Sequence, residues 1–146
     1  MIHHSSNDRV VALIEILSSG NKARNKEVRS FLAKALDLVE HGYHLLIVDL
    51  QPPTPRDPDG IHAAIWAELG GKLKPKVGDK PLTLVARDAG PPKTYYLEPV
   101  AVGDVLIDMP LFLAPGWYVD VPLEATYQAA WRGVPRRFRD IRGSSG

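Results

Sequence analysis

One acidic residue, Glu15, interrupts an otherwise apolar stretch that runs from Val10 to Leu17. Short apolar runs that are rich in β-branched residues and bounded by polar ones are typical of buried strands. A carboxylate inside such a strand is energetically costly unless it pairs with a cation or binds a metal. Glu15 is therefore either a metal ligand or general base, or one half of a buried salt bridge, most simply with Lys34 or Arg29.

A second carboxylate and a lysine lie close to the ends of two apolar runs. Asp49 comes near the end of the run Tyr43–Leu50, and Lys22 closes the polar segment Ser18–Lys22 that follows the first run. Ligands of open α/β sheets gather at the carboxyl ends of parallel strands. Lys22 is therefore a candidate nucleic-acid contact and Asp49 a candidate second catalytic carboxylate. The alternative is that this segment, which lacks phosphate-loop spacing, is a plain connection.

The segment between the two runs predicts the helix that must position these groups. Apolar residues of Asn25–His41 recur at helical spacing, and Gly42 can end the helix in a left-handed conformation. A strand, a helix and a strand of these lengths form a βαβ unit with two parallel strands. Lys34 flanks the buried face of the helix, so that its ammonium can approach Glu15.

The remainder of the chain predicts an α/β (mixed α+β) fold, with a mixed sheet and flanking helices around the βαβ unit. Residues before the first strand, Ile2–Asp8, are expected to be irregular. The patterns further along predict a short helix, the two strands of a hairpin, an extended segment interrupted by Pro110, and a last helix that begins after Asp120. In the same order, these five elements are expected at Asp59–Leu69, Pro81–Arg87, Thr94–Pro99, Val105–Leu113 and Pro122–Trp131.

Composition limits the classes of function. The 146 residues, 45% of them hydrophobic, suit one domain, expected at 1–142 with a disordered tail at 143–146. A net charge of +1 gives no global attraction to nucleic acid or membrane. The absence of cysteine excludes disulfides and thiolate metal sites. With no signal peptide and no long apolar run, we expect a cytoplasmic protein without a membrane partner.

Basic residues cluster near the carboxyl terminus and suggest a nucleic-acid contact. Arg136, Arg137 and Arg139 alternate with aromatic residues, a combination that suits phosphate and base contacts, whereas the alternative is a solvated tail. His41 and His44 are three residues apart but straddle the end of a helix and the start of a strand, so we do not expect them to share a metal.

Three stretches of the chain resemble an uncharacterised bacterial family, the domain of unknown function numbered 4058. They are Val10–Lys22, Phe31–Lys34 and Gly42–Leu50, and further similarity extends through Pro53–Trp66, Val100–Leu113 and Asp120–Tyr127. The resemblance is to the carboxyl-terminal part of that family. It implies that this chain is an N-terminally shortened member whose preceding strands are missing, which would leave Val10–Leu17 an edge strand prone to dimerisation.

The family is itself similar to the PD-(D/E)XK restriction-endonuclease-like superfamily. That similarity implies a restriction-endonuclease-like core in which two acidic residues on neighbouring strands hold Mg²⁺ and a lysine positions the attacking water. Glu15 matches the second acidic position and would be the metal ligand. Leu17 occupies the usual lysine position, but Lys34 matches the helix lysine of related groups. Asp49 is the candidate for the other carboxylate.

Two hypotheses of function follow from these observations. The first is a nuclease-like domain, an Mg²⁺-dependent phosphodiesterase fold without robust activity, with Glu15, Lys34 and Asp49 as its catalytic set. The second is a non-catalytic domain that binds protein or nucleic acid, DNA or RNA. A single carboxylate is a weak Mg²⁺ site, because such sites use one or two carboxylates together with substrate phosphates.

Overall fold

A computed structural model describes residues 2–4, 9–71 and 79–133 of the chain. Its fold is mixed α+β. In chain order the strands are β1 (Ile2–His4), β2 (Arg9–Ile16), β3 (His44–Asp49), β4 (Leu82–Asp88), β5 (Thr94–Val100), β6 (Met109–Ala114) and β7 (Trp117–Val121). The helices are α1 (Ser19–Lys22), α2 (Asn25–Glu40), α3 (Ile61–Glu68) and α4 (Leu123–Gly133).

The predicted βαβ unit is confirmed and forms the centre of the molecule. β2 pairs in parallel with β3, so that Glu15 lies beside Ile47, and α2 connects the two strands. Gly42 has a φ of 79° after α2, which is the left-handed conformation expected at the end of that helix. Every residue of β3 is buried, as expected for a strand with a neighbour on each side and a covered layer on each face.

Five strands form the main sheet in the order β1-β2-β3-β4-β5, and only the β2–β3 pair is parallel. The predicted hairpin is β4 with β5. Apolar side chains of α2 and α3 cover one face of the sheet, and the separate β6–β7 sheet covers the other. The described residues therefore form two hydrophobic clusters, one on each side of β3.

Three elements differ from the sequence predictions. β1 pairs antiparallel with β2 where an irregular segment was expected, and α1 is a single helical turn where a polar loop was expected. β7 was not predicted; it pairs with β6, which includes Pro110. Proline is tolerated there because a two-stranded sheet leaves one edge of each strand free of ladder hydrogen bonds. Residues 143–146 lie outside the described part of the chain.

Candidate functional site

A buried lysine lies at the carboxyl ends of the two parallel strands. The side chain of Lys22 is 3% exposed, and its ammonium donates to Asp49 Oδ2 at 2.9 Å. It also contacts Asp57 Oδ2 at 2.8 Å and donates to the carbonyl oxygens of Gln51 at 2.9 Å and Pro52 at 3.4 Å. Four oxygen atoms therefore surround one cationic nitrogen, and we call these residues the Lys22 cluster.

Local sequence explains how the chain places Lys22 in that position. The Asn21 Oδ1 atom accepts hydrogen bonds from both the backbone nitrogen and the hydroxyl of Ser18, which stabilises the turn α1 directly after β2. On the other side, Asp57 Oδ1 accepts from the backbone nitrogen of Thr54 at 2.9 Å and from its hydroxyl. The proline-rich loop after β3 is thereby folded so that Asp57 returns to the sheet edge.

The charges of the Lys22 cluster do not cancel, because two carboxylates face one ammonium. Burial raises the pKa of Asp49, while its hydrogen bond with Lys22 and the positive charge of that residue act in the opposite direction. A hydrogen bond from the Gln51 backbone nitrogen to Asp49 Oδ1, at 3.2 Å, further satisfies the carboxylate. Buried charged groups of this kind stabilise one another, and the removal of one of them leaves the charges of the others without a partner.

Glu15 and Lys34 form a second ion pair on the same face of the sheet. Lys34 Nζ lies 2.8 Å from Glu15 Oε1, with the lysine side chain 57% exposed and the glutamate side chain 16% exposed. The structure thus confirms that Glu15 points toward Lys34 on the crossover helix. Because solvent reaches the lysine, the pair differs from the fully enclosed Lys22 cluster.

We expect Glu15→Gln to lower the free energy of unfolding by only about 1 kcal/mol, because partly exposed ion pairs contribute little to stability. Urea unfolding of the variant and the wild type measures the difference. Arg29→Gln on the exposed face of α2 is a matched control that should change stability by less than about 0.5 kcal/mol. A loss above about 3 kcal/mol for Glu15→Gln would instead indicate a fully buried pair.

The described residues do not fit the Mg²⁺ site that the resemblance implies. Glu15 and Asp49 each pair with a different lysine, and within residues 2–4, 9–71 and 79–133 no three His, Cys, Asp or Glu side chains lie together as potential metal ligands. The ammonium of Lys22 occupies the space among the oxygens that could otherwise surround a cation. Glu15 and Asp49 are thus each paired with a lysine of the chain itself.

A buried histidine lies next to the Lys22 cluster. His62 Nδ1 is 3.3 Å from the hydroxyl of Thr83, and burial lowers the pKa of His62, with Lys22 lowering it further and Asp59 raising it. At the opposite end of β3, burial also lowers the pKa of His44, while Asp88 raises it. Both imidazoles are therefore favoured in their neutral forms. His41 Nδ1 lies 2.8 Å from the carbonyl oxygen of Asp37, whereas His44 Nδ1 accepts from the backbone nitrogen of Ala89.

These shifts predict that acid destabilises the fold. A histidine whose pKa is lower in the folded state than the ordinary value of 6.5 takes up protons more readily when unfolded, so stability falls as the pH drops below that value. Between about pH 7.5 and about pH 5.5, His62 can account for at most about 1.4 kcal/mol. Urea unfolding at both pH values should show that His62→Gln loses less free energy of unfolding than the wild type when the pH is lowered. Equal losses would contradict this assignment to His62.

The structure brings some candidate residues together and separates others. Glu15 with Lys34 and Lys22 with Asp49 form two distinct pairs, so the proposed catalytic set is divided between them. Lys22 is enclosed within the protein, which leaves its ammonium no open face for a phosphate. Asp57 and His62 were not identified from the sequence. Arg136, Arg137 and Arg139 lie outside the described residues, and their proposed role stays a prediction.

Comparisons with known proteins gave no relative from which a function could be transferred. No family model, curated protein or solved structure matches the chain. Within the described residues, no helix is both long enough and apolar enough to cross a membrane.

Proposed function

We propose that this chain is a nuclease-like domain, a degenerate Mg²⁺-dependent phosphodiesterase fold without robust activity. The observation that supports it is the pairing of both candidate carboxylates with lysines, Glu15 with Lys34 and Asp49 with Lys22. Metal-dependent phosphodiester cleavage needs a cation held so that water and the scissile phosphate meet in line. A restriction-endonuclease-like core is part of this proposal, supported by the parallel βαβ unit and by a lysine contributed from α2.

Cleavage of supercoiled plasmid with Mg²⁺ or Mn²⁺ tests the proposal. We expect no metal-dependent nicking above background by the wild type, and the same result for Glu15→Ala and Asp49→Ala. Metal-dependent cleavage by the wild type that both substitutions abolish would contradict the proposal and would establish Asp49 as the second ligand. Glu27→Ala, at an acidic position in the first turn of α2, is the matched control for the loss of a carboxylate.

Exposed apolar side chains favour protein binding as a second candidate function. Trp117 and Tyr118 in β7 are 77% and 56% exposed, and the Tyr118 ring packs edge-on against Phe112 with centroids 5.5 Å apart. Large aromatic residues are enriched at protein interfaces, where they often dominate the binding energy. The alternative of nucleic-acid binding depends on Arg136, Arg137 and Arg139, which lie outside the described residues.

Self-association through β2 is a specific form of protein binding that can be tested directly. β1 pairs with β2 only along Arg9–Ala12, and Ile16 farther along the strand is 69% exposed. Strand edges that carry exposed apolar side chains tend to pair with another chain. We expect a concentration-dependent dimer in sedimentation analysis, weakened by Ile16→Lys but not by Val102→Lys in an exposed turn. A monomer at all concentrations would contradict this prediction.

A further inference from the structure

The segment 94–131, which forms β5, β6, β7 and most of α4, carries only negative charge. It includes five carboxylates and no lysine, arginine or histidine, although the whole chain has a net charge of +1. Eight of the ten large hydrophobic side chains that are exposed in the described part of the chain also lie in this segment. Negative charge and exposed apolar surface are therefore combined in the same elements, as expected for a surface whose partner is both cationic and partly apolar.

Two exposed tyrosines of this segment each have a carboxylate on the same face of the same strand. Tyr96 and Glu98 are two residues apart in β5, as are Tyr118 and Asp120 in β7, and side chains with that spacing lie on one face of a strand. The tyrosines are 53% and 56% exposed, and both rings pack on the buried ring of Phe112, with centroids 5.8 and 5.5 Å from it. Contact with one ring thus holds the two tyrosine–carboxylate pairs close together. We call these five residues the tyrosine–acid surface.

The two carboxylates of the tyrosine–acid surface are not used by the fold. Within the described residues, neither Glu98 nor Asp120 forms a salt bridge or a side-chain hydrogen bond. Asp104 and, after it, Glu98 raise the pKa of Lys80, but the ammonium of that residue donates to Asp104 at 2.7 Å. Both carboxylates therefore remain accessible to a cation from outside the chain.

We propose that the tyrosine–acid surface binds an extended, arginine-containing segment of a partner protein, an inference that rests on the second candidate function, protein binding. A guanidinium stacks on a tyrosine ring and pairs with a carboxylate through two parallel hydrogen bonds. In the described part of the chain β7 pairs with β6 alone, and the unpaired backbone groups of an edge strand favour an extended partner. Nucleic acid does not fit this surface, because its phosphates are repelled by Glu98 and Asp120.

Fluorescence anisotropy of a labelled synthetic peptide tests the surface in the full-length chain. The peptide alternates arginine with threonine over about eight residues, because this spacing places every arginine on one side of an extended strand and threonine favours that conformation. Matched peptides carry lysine or glutamine in place of arginine. We expect the arginine peptide to bind saturably and at least about tenfold more tightly than the glutamine peptide, with the lysine peptide between them because its ammonium is a compact point charge. The net charge of +1 gives no general attraction for cations.

Substitutions at exposed positions locate the bound peptide without disturbing the fold. Tyr118→Thr and Asp120→Asn should each weaken binding of the arginine peptide by about two- to fivefold, because single exposed cation–π contacts and ion pairs are weak. Trp117→Thr removes a ring that is 77% exposed on the opposite face of β7. Asp37→Asn neutralises an exposed carboxylate in α2. Both of these control variants should bind the arginine peptide with an affinity within about 1.5-fold of the wild type.

The outcomes separate this inference from the functions proposed above. Equal affinity for the arginine and glutamine peptides, or equal weakening by Tyr118→Thr and Trp117→Thr, would overturn the inference and leave protein binding in place. No saturable binding of any peptide would also overturn it, whereas the nuclease-like proposal is tested independently by plasmid cleavage. Tighter binding of the arginine peptide after joint replacement of Arg136, Arg137 and Arg139 by glutamine would identify the chain's own arginines as the occupant and would contradict a partner protein.

Discussion

Replacing Lys22 with methionine is expected to lower the free energy of unfolding by about 3 to 5 kcal/mol. The substitution keeps an unbranched side chain of similar length but removes the ammonium that lies between Asp49 and Asp57. Both carboxylate side chains are nearly inaccessible to solvent, with exposures of 3% and 0%. Water cannot replace the lost contacts without opening the loop after β3, so the stranded negative charges should destabilise the folded state.

The same substitution at Lys34 is the matched control. Lys34→Met also removes an ammonium from an ion pair, but that lysine is largely exposed, and the expected loss is no more than about 1 kcal/mol. Adding Asp49→Asn and Asp57→Asn to Lys22→Met should restore much of the stability, since no uncompensated charge remains. Urea unfolding of the wild type, Lys22→Met, Lys34→Met and the triple variant measures the differences in the free energy of unfolding. A loss below about 1 kcal/mol for Lys22→Met would show that the Lys22 cluster does not stabilise the fold.

Replacing Lys22 with serine should convert its surroundings into a cation site. The truncated side chain leaves two carboxylate oxygens and the carbonyl oxygens of Gln51 and Pro52 around a vacated volume. Ca²⁺ binds to such carboxylate and carbonyl oxygens with flexible geometry and completes its shell with water. We therefore expect CaCl₂ to stabilise Lys22→Ser by about 1.4 kcal/mol when its concentration is about ten times the dissociation constant.

The wild type is the essential reference for this prediction. Its ammonium already occupies the site, so CaCl₂ and NaCl at equal ionic strength should have the same effect on its melting temperature. Lys22→Ser with Asp57→Asn should respond much less than Lys22→Ser alone, because one of the two carboxylates is lost. If Ca²⁺ stabilises the wild type and Lys22→Ser equally, the Lys22 cluster is not the binding site, and the prediction is wrong.

Periodic sequence signals predicted the centre of the fold. The apolar runs around Glu15 and Asp49 predicted two buried strands, and the helical stripe between them predicted the crossover helix and hence parallel pairing. The position of Lys34 beside the buried face predicted its contact with Glu15, which the structure confirms at 2.8 Å. These predictions succeed because they depend on local periodicity and on the short reach of one side chain from one helix.

Contacts between distant parts of the chain could not be predicted in the same way. Asp57 reaches Lys22 because a turn at Thr54 folds the proline-rich loop back to the sheet, and no periodic pattern specifies that path. The contact of His62 with Thr83 likewise depends on how α3 packs over the sheet. β7 had a usable local signal, since Gly116 has a φ of 72° in the turn between two apolar segments, and a Pro-Gly dipeptide is typical of such turns.

Binding of Mn²⁺ to the wild-type chain tests most directly whether lysines, rather than a metal, are the partners of Glu15 and Asp49. Electron paramagnetic resonance measures the free ion, so a titration gives the number and affinity of bound ions. We expect no saturable Mn²⁺ site at these carboxylates, and therefore identical titrations for the wild type, Glu15→Ala and Asp49→Ala. Stoichiometric binding by the wild type that is lost in either variant would contradict it and would identify a metal centre at these carboxylates.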